Sequence, residues 1–135
     1  MYSVKEIKKG LEEKKFSTVE IVKEYFDKIK KEDGKIKSFI TLREEEALKE
    51  AEETDKKIAF GKKMRLLEGI PIGLKDNMAT KGIKTTCSSK ILEDFIPPYD
   101  ATVVENINKK GGIVLGKLNM DEFAMGSSTE NSAFF

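Results

Sequence analysis

Histidine is absent from the 135 residues. That excludes a Ser-His or Cys-His catalytic pair built from this chain alone, and a histidine zinc site with it. Cys87 is the single cysteine, so no internal disulfide is possible and a reducing cytoplasm is the expected compartment. Arginine is scarce: Arg43 and Arg65 are the only two, which argues against direct readout of base edges. The 25 basic and 24 acidic side chains nearly cancel, so no net field draws nucleic acid or an anionic membrane. No segment has the apolar length to span a bilayer, and the N-terminus lacks the core of a signal peptide. Internal repeats and low-complexity tracts are missing too. What is present, 39% hydrophobic residues over the length of one domain, supports a single globular unit, and the helix and strand patterns that follow predict an α/β arrangement, a helix pair packed beside an incomplete mixed sheet.

Two helices open the chain with the same device. Ser3 and Glu6 have capping-box spacing, with Tyr2 and Ile7 placed as a hydrophobic staple. Ser17 with Glu20, and Phe16 with Ile21, repeat the arrangement. In the second helix Ile21, Val22, Tyr25, Phe26 and Ile29 share a face, and the turn signal Asp33-Gly34 predicts its end near Lys31. This gives a helical layer over about 1–33. The sheet-forming part, about 38–135, begins with a short strand from Ser38 to Leu42 and a polar helix from about Glu44 to Ala59. Asp100 is placed to N-cap a helix from Ala101 to about Lys110, which Gly111-Gly112 stops. Ile113-Val114-Leu115 then reads as a buried strand. Asn119 to Met125 is expected to form a short helix or turn leading into the loop Gly126 to Thr129.

The central stretch is Gly69-Ile-Pro-Ile-Gly-Leu-Lys-Asp-Asn77. Alternation places Ile70, Ile72 and Leu74 on a core face. Pro71, Gly73 and Lys75 take the other face, where small residues leave space beside the amine. The Asp76 carboxylate points away from Lys75 in extended geometry, so it does not hold that lysine charged. Two readings of Lys75 stay open at this level: an amine tuned for chemistry, or a lysine whose stem lies along the sheet with its head in solvent. Strand, crossover helix and strand predict a β-α-β unit, whose ligand sites lie beyond the strands' carboxyl ends. The hydroxyls of Thr85, Thr86, Ser88 and Ser89 either satisfy loop backbone groups or bind a small polar substrate. No general base accompanies Cys87, which reads as an inert small residue.

Several motifs together resemble the amidase signature family. They are Gly69 to Asn77, Thr85-Thr-Cys87 with Ser89-Lys-Ile-Leu92, Tyr99-Asp-Ala-Thr-Val-Val104, and Gly116 to Ser132. The run from Asn119 to Ser132 is similar to the family's tRNA-dependent amidotransferases in particular. The resemblance implies a Ser–cis-Ser–Lys triad in which Lys75 is the catalytic lysine. It implies tentative substrate contacts at Met125, Gly126 and Ser127. Both triad serines belong to a Gly/Ser-rich region that this sequence does not reach, and Ser127, Ser128 and Ser132 are not those serines. Glutamine is the implied substrate, with ammonia passed to a partner that activates Glu-tRNA(Gln). The implied partners are subunits B and C of the amidotransferase. No cofactor or metal is implied for this chain; ATP and Mg²⁺ belong to the partner.

A free lysine titrates near ~10.4, so half-neutrality at pH 7 demands about 4 kcal/mol. Pro71 and Gly73 are the expected source of the burial this needs. The closing Phe134-Phe135 predicts a chain cut within a domain. It would be inactive alone, with Ile113–Leu115 or a neighbouring strand as an unpaired apolar edge and Phe123, Phe134 and Phe135 exposed beside it. Two other functions fit the sequence: part of a hydrolase for a different small amide, and a non-catalytic binding or structural module.

Overall fold

The computed structural model describes residues 2–134. Its helices are α1 (Val4–Glu12), α2 (Thr18–Ile36), α3 (Glu44–Ala59) and α4 (Thr102–Lys109), and its strands β1 (Phe39–Leu42), β2 (Pro71–Lys75) and β3 (Ile113–Leu118). Single 3-10 turns occupy Lys90–Leu92 and Glu122–Ala124. The sheet order is β1-β3-β2, with β1 antiparallel and β2 parallel to β3. The arrangement is α/β, as the sequence predicts.

Both capping boxes form. The hydroxyls of Ser3 and Ser17 accept the amides of Glu6 and Glu20, and each glutamate accepts the cap residue's own N–H at 2.7 Å. Ile7 and Leu11 of α1 then bury against Ile21 and Ile70. Val22 and Phe26 of α2 meet Ala47 and Ala51 of α3 over Ile113 and Leu115. On the opposite face of the sheet, Val104 of α4 covers Leu74 and Val114. The sheet is thus an inner layer with helices on both faces.

Three expectations need correction. The second helix does not stop near Lys31 but runs through Gly34 to Ile36. The Asp33 carboxylate, instead of making a turn at that point, accepts the amides of Ser38 (2.7 Å) and Phe39 (3.2 Å) and secures the start of β1. Asp100 does not cap α4, whose N-cap is Ala101; its carboxylate accepts the amide of Lys81 instead. Ile72 is only partly buried, packed between two clusters, while Ile70 turns toward α1. Of the two alternatives for a free edge, the neighbouring strands carry it: β3 is longer than the apolar triplet and is paired on both sides, which leaves β1 and β2 as the edges. Phe123 is exposed and Phe134 half-buried; Phe135, expected to be exposed with them, lies outside the described residues.

Irregularities in the pairing position the site. Ile72 pairs with Val114 and Gly73 with Gly116, which leaves Leu115 as an extra residue in β3. Without this bulge, alternation would set Lys117 on the α2/α3 face with Ile113 and Leu115. The bulge re-phases the strand, so Lys117 falls beside Leu74 on the α4 face. Gly116 makes the double pairing possible: a Cβ there would collide with the Thr41 carbonyl oxygen.

Candidate active site

The parallel strands β2 and β3 end together, Lys75 opposite Leu118. Two loops, residues 76–89 and 119–134, gather beyond these carboxyl ends, the usual place for a ligand in such a sheet. Lys75 is exposed there. The space above Gly73 is not open, because the Leu118 side chain lies 2.9 Å from where a Cβ would be. The expected burial of the amine by Pro71 and Gly73 is therefore not supplied among the described residues.

Asp76 is fully buried and held from all sides. Its N–H donates to the Leu118 carbonyl at 3.0 Å and its carbonyl accepts the Cys87 amide at 3.2 Å. Carboxylate Oδ2 accepts both the amide and the hydroxyl of Thr86. Its other oxygen, Oδ1, stands 3.5 Å from Lys117 Nζ, close enough for an ion pair and too far for a hydrogen bond. The Lys117 ammonium is also 0% exposed and donates to the Met78 carbonyl (2.8 Å) and the Thr85 hydroxyl (2.7 Å). Burial pushes the Lys117 amine below the ordinary lysine value, partly offset by Asp76. Sequence reasoning missed this pair as a unit. The one signal was a lysine inside an apolar strand, and its facing could not be read without the bulge.

The hydroxyl cluster is satisfied internally. Thr85, Thr86, Ser88 and Ser89 are buried. Ser88 Oγ donates to Asn119 Oδ1 (3.0 Å) and accepts the Met120 amide (3.1 Å). Ser89 Oγ accepts the Ile91 amide. This is the structural alternative of the two. Burial, then the Asp76 charge, push the Cys87 thiol up, with Lys117 opposing. The thiol is therefore a poor nucleophile near neutrality.

Asp121 orders the second loop. Its carboxylate accepts the amides of Ser128 (3.1 Å), Thr129 (2.9 Å) and Asn131 (3.1 Å). Those amides hold it below the ordinary carboxylate value, and the Lys75 charge adds to the effect. Gly126 lies over this carboxylate, since a Cβ there would collide with Asp121 Cγ. Gly126 and Lys75 therefore flank the same aspartate. Met125 and Ser127 project into solvent, Met125 at 72% exposure. Asn119 closes the loop's far end, its Oδ1 accepting the Ser132 hydroxyl at 2.6 Å.

A depressed carboxylate contributes stability that is complete above its ordinary value, 3.8 for aspartate, and is lost as pH falls through the folded value. The loop is therefore expected to loosen under acid before the core does. An NMR titration should show the Ser128, Thr129 and Asn131 amides leaving their native positions while Val114 and Leu115 hold theirs. A loop that melted only together with β3 would show that Asp121 does not control it.

Comparison with known proteins gives this geometry its context. The Amidase family model matches residues 20–135. The A subunit of glutamyl-tRNA(Gln) amidotransferase from Alkaliphilus metalliredigens is 56% identical over 132 residues, covering 98% of this chain and 27% of that protein. This chain thus spans only about a quarter of the curated relative. Among solved structures, one described as a vestigial protein complex revealing the evolutionary origins of an s-triazine catabolic enzyme superposes with a TM-score of 0.93 at 33% identity, covering 98% of this chain and 29% of that one. The corresponding A subunit from Thermotoga maritima gives a TM-score of 0.68 at 38% identity, covering 87% and 23%. With the family matched over most of its length, the chain belongs to the amidase family.

Proposed function

We propose that this chain is the N-terminal part of a cytoplasmic glutamine-hydrolysing subunit, one that supplies ammonia for converting Glu-tRNA(Gln) to Gln-tRNA(Gln). The observation that carries the reading is Lys75 at the end of β2, inside a sequence 56% identical to the A subunit of a glutamyl-tRNA(Gln) amidotransferase. Lys75 is the general base. In its neutral form it accepts a proton from a bridging serine, which accepts one from the nucleophilic serine as that oxygen attacks the glutamine side-chain amide. The C–N bond breaks, ammonia leaves with a proton returned along the same relay, and water then releases glutamate from the acyl-enzyme. Both serines come from the part of the relatives' length that this chain does not span. That same part must also remove water from Lys75, because the amine is exposed among the described residues.

Met125, Gly126 and Ser127 line the substrate's approach, held in place by Asp121. Subunits B and C are the partners. ATP and Mg²⁺ act on the partner that activates Glu-tRNA(Gln), and no residue of this chain is assigned to them.

A second reading, a hydrolase for another small amide, has one observation in its favour: the TM-score of 0.93 with the s-triazine-related structure exceeds the 0.68 with the Thermotoga protein. The 56% sequence identity favours glutamine, since substrate choice lies in side chains and a TM-score reports backbone. The test is a chimera in which residues 1–135 replace the matching segment of the Alkaliphilus metalliredigens protein, purified in complex with subunits B and C. Glutamine is expected to be preferred over acetamide and asparagine by about 100-fold in kcat/KM, with Gln-tRNA(Gln) formed when ATP, Mg²⁺ and Glu-tRNA(Gln) are added. Preference for a different amide would establish the second reading.

A further inference from the structure

The two fully buried charges at the carboxyl end of the sheet take no part in the proton relay. Lys117 and Asp76 lie on the α4 face, and Lys75 on the opposite one. A brace between β2 and β3 needs no charge: apolar side chains of similar volume stabilise such a contact as well as a buried ion pair, or better. Charge at this spot has another consequence, because Asp76 is the residue next to Lys75. Its Oδ1 is buried, makes no hydrogen bond and has Lys117 Nζ as its counter-charge at 3.5 Å.

We propose that Lys117 is a positioning residue for Lys75: it holds the Asp76 carboxylate on the far face of the sheet and cancels its charge, so that the Lys75 amine is not kept protonated by its own neighbour. The inference rests on reading Lys75 as the base. The groups facing this end of the sheet are Asp76 after β2, Lys117 on β3, the Cys87 thiol from the hydroxyl loop, and Asp121 from the loop after β3. Asp121 commits its carboxylate to three amides and also meets the Lys75 charge, an effect that no substitution at 117 alters. Asp76 accepts the Thr86 amide and hydroxyl through Oδ2, and its Oδ1 has Lys117 as counter-charge.

The experiment is the pH dependence of kcat/KM for ammonia release by the chimera, with Lys117→Met and Lys117→Gln. Glutamine at 117 retains an N–H donor toward Met78 and Thr85 while losing the charge, and it serves if the methionine variant does not fold. An uncancelled Asp76 carboxylate favours protonated Lys75, so the acid limb is expected to move up by about one pH unit. Adding Asp76→Asn to either variant should return it. A pair that only braces the fold lowers activity in proportion to the folded fraction and leaves the limb in place, which would overturn the proposal.

A second measurement needs no activity. In the 135-residue chain Cys87 is the sole cysteine, and its thiol senses both charges. Lys117→Gln should raise the pH at which Cys87 reacts with a thiol reagent, and Asp76→Asn should lower it. A thiol unmoved by either substitution would mean that the buried pair carries no charge, which would overturn the proposal. If Lys75→Arg retained turnover, the base reading would fail separately, and the thiol result would still report whether Lys117 and Asp76 are charged.

Discussion

Lys75→Arg in the chimera is expected to cut kcat for ammonia release from glutamine by about 10³-fold, the scale of a lost general base. Arginine keeps the charge and the reach, but it does not give up its proton near neutrality. The substitution touches an exposed side chain at the end of β2, so the unfolding temperature should stay close to that of the parent. This combination of dead chemistry on an intact fold separates a base from a structural cation. An arginine variant retaining most of its turnover would show Lys75 to be the latter. Lys75→Met should be equally inactive, because neither residue accepts the serine proton.

Lys117→Ala is the substitution with the largest expected effect on stability. It removes the counter-charge from a buried carboxylate and the donor from Met78 and Thr85. Breaking one side of a buried pair costs about 3–5 kcal/mol, a large share of the margin of a small domain. Urea unfolding of the 135-residue chain measures it as a lower midpoint at unchanged slope. Lys117→Met with Asp76→Asn removes both charges and keeps the volume, and it should recover most of the loss. A single alanine variant within about 0.5 kcal/mol of the parent would mean that the pair is solvated in solution.

How far the sequence carries depends on the range of the interaction that decides each feature. The capping boxes at Ser3 and Ser17 and the polar helix Glu44–Ala59 are local, and each is legible to the residue. The β2 strand is legible because Gly and Pro bracket an alternating run. The end of α2 is not, since Asp33 is used across the turn by the amides of Ser38 and Phe39 rather than within it. Asp100 fails as a cap for a similar reason: the Lys81 amide, 19 residues away, takes its carboxylate.

The site divides in the same way. The place of Lys75 at the end of β2 is legible from its strand, and its proposed role as base comes from the resemblance alone. The facing of Lys117 depends on a bulge at Leu115 that exists in the pairing of β3 with β2, a contact between distant segments. The burial assigned to Lys75 from Pro71 and Gly73 failed because Leu118, on a different strand, fills that space. The role of Asp121 rests on three amides of a loop with no regular pattern.

On the proposed function, these residues supply the base of a glutamine-hydrolysing site whose serines come from the part of the relatives' length that this chain does not span. The most direct measurement is ammonia release from glutamine by the purified 135-residue chain, first by itself and then with the remaining segment of the Alkaliphilus metalliredigens protein added as a separate polypeptide. The expected result is no release by the chain alone and release by the mixture, abolished when the chain carries Lys75→Arg. Release by the chain alone, or by the mixture with Lys75→Arg, would contradict it.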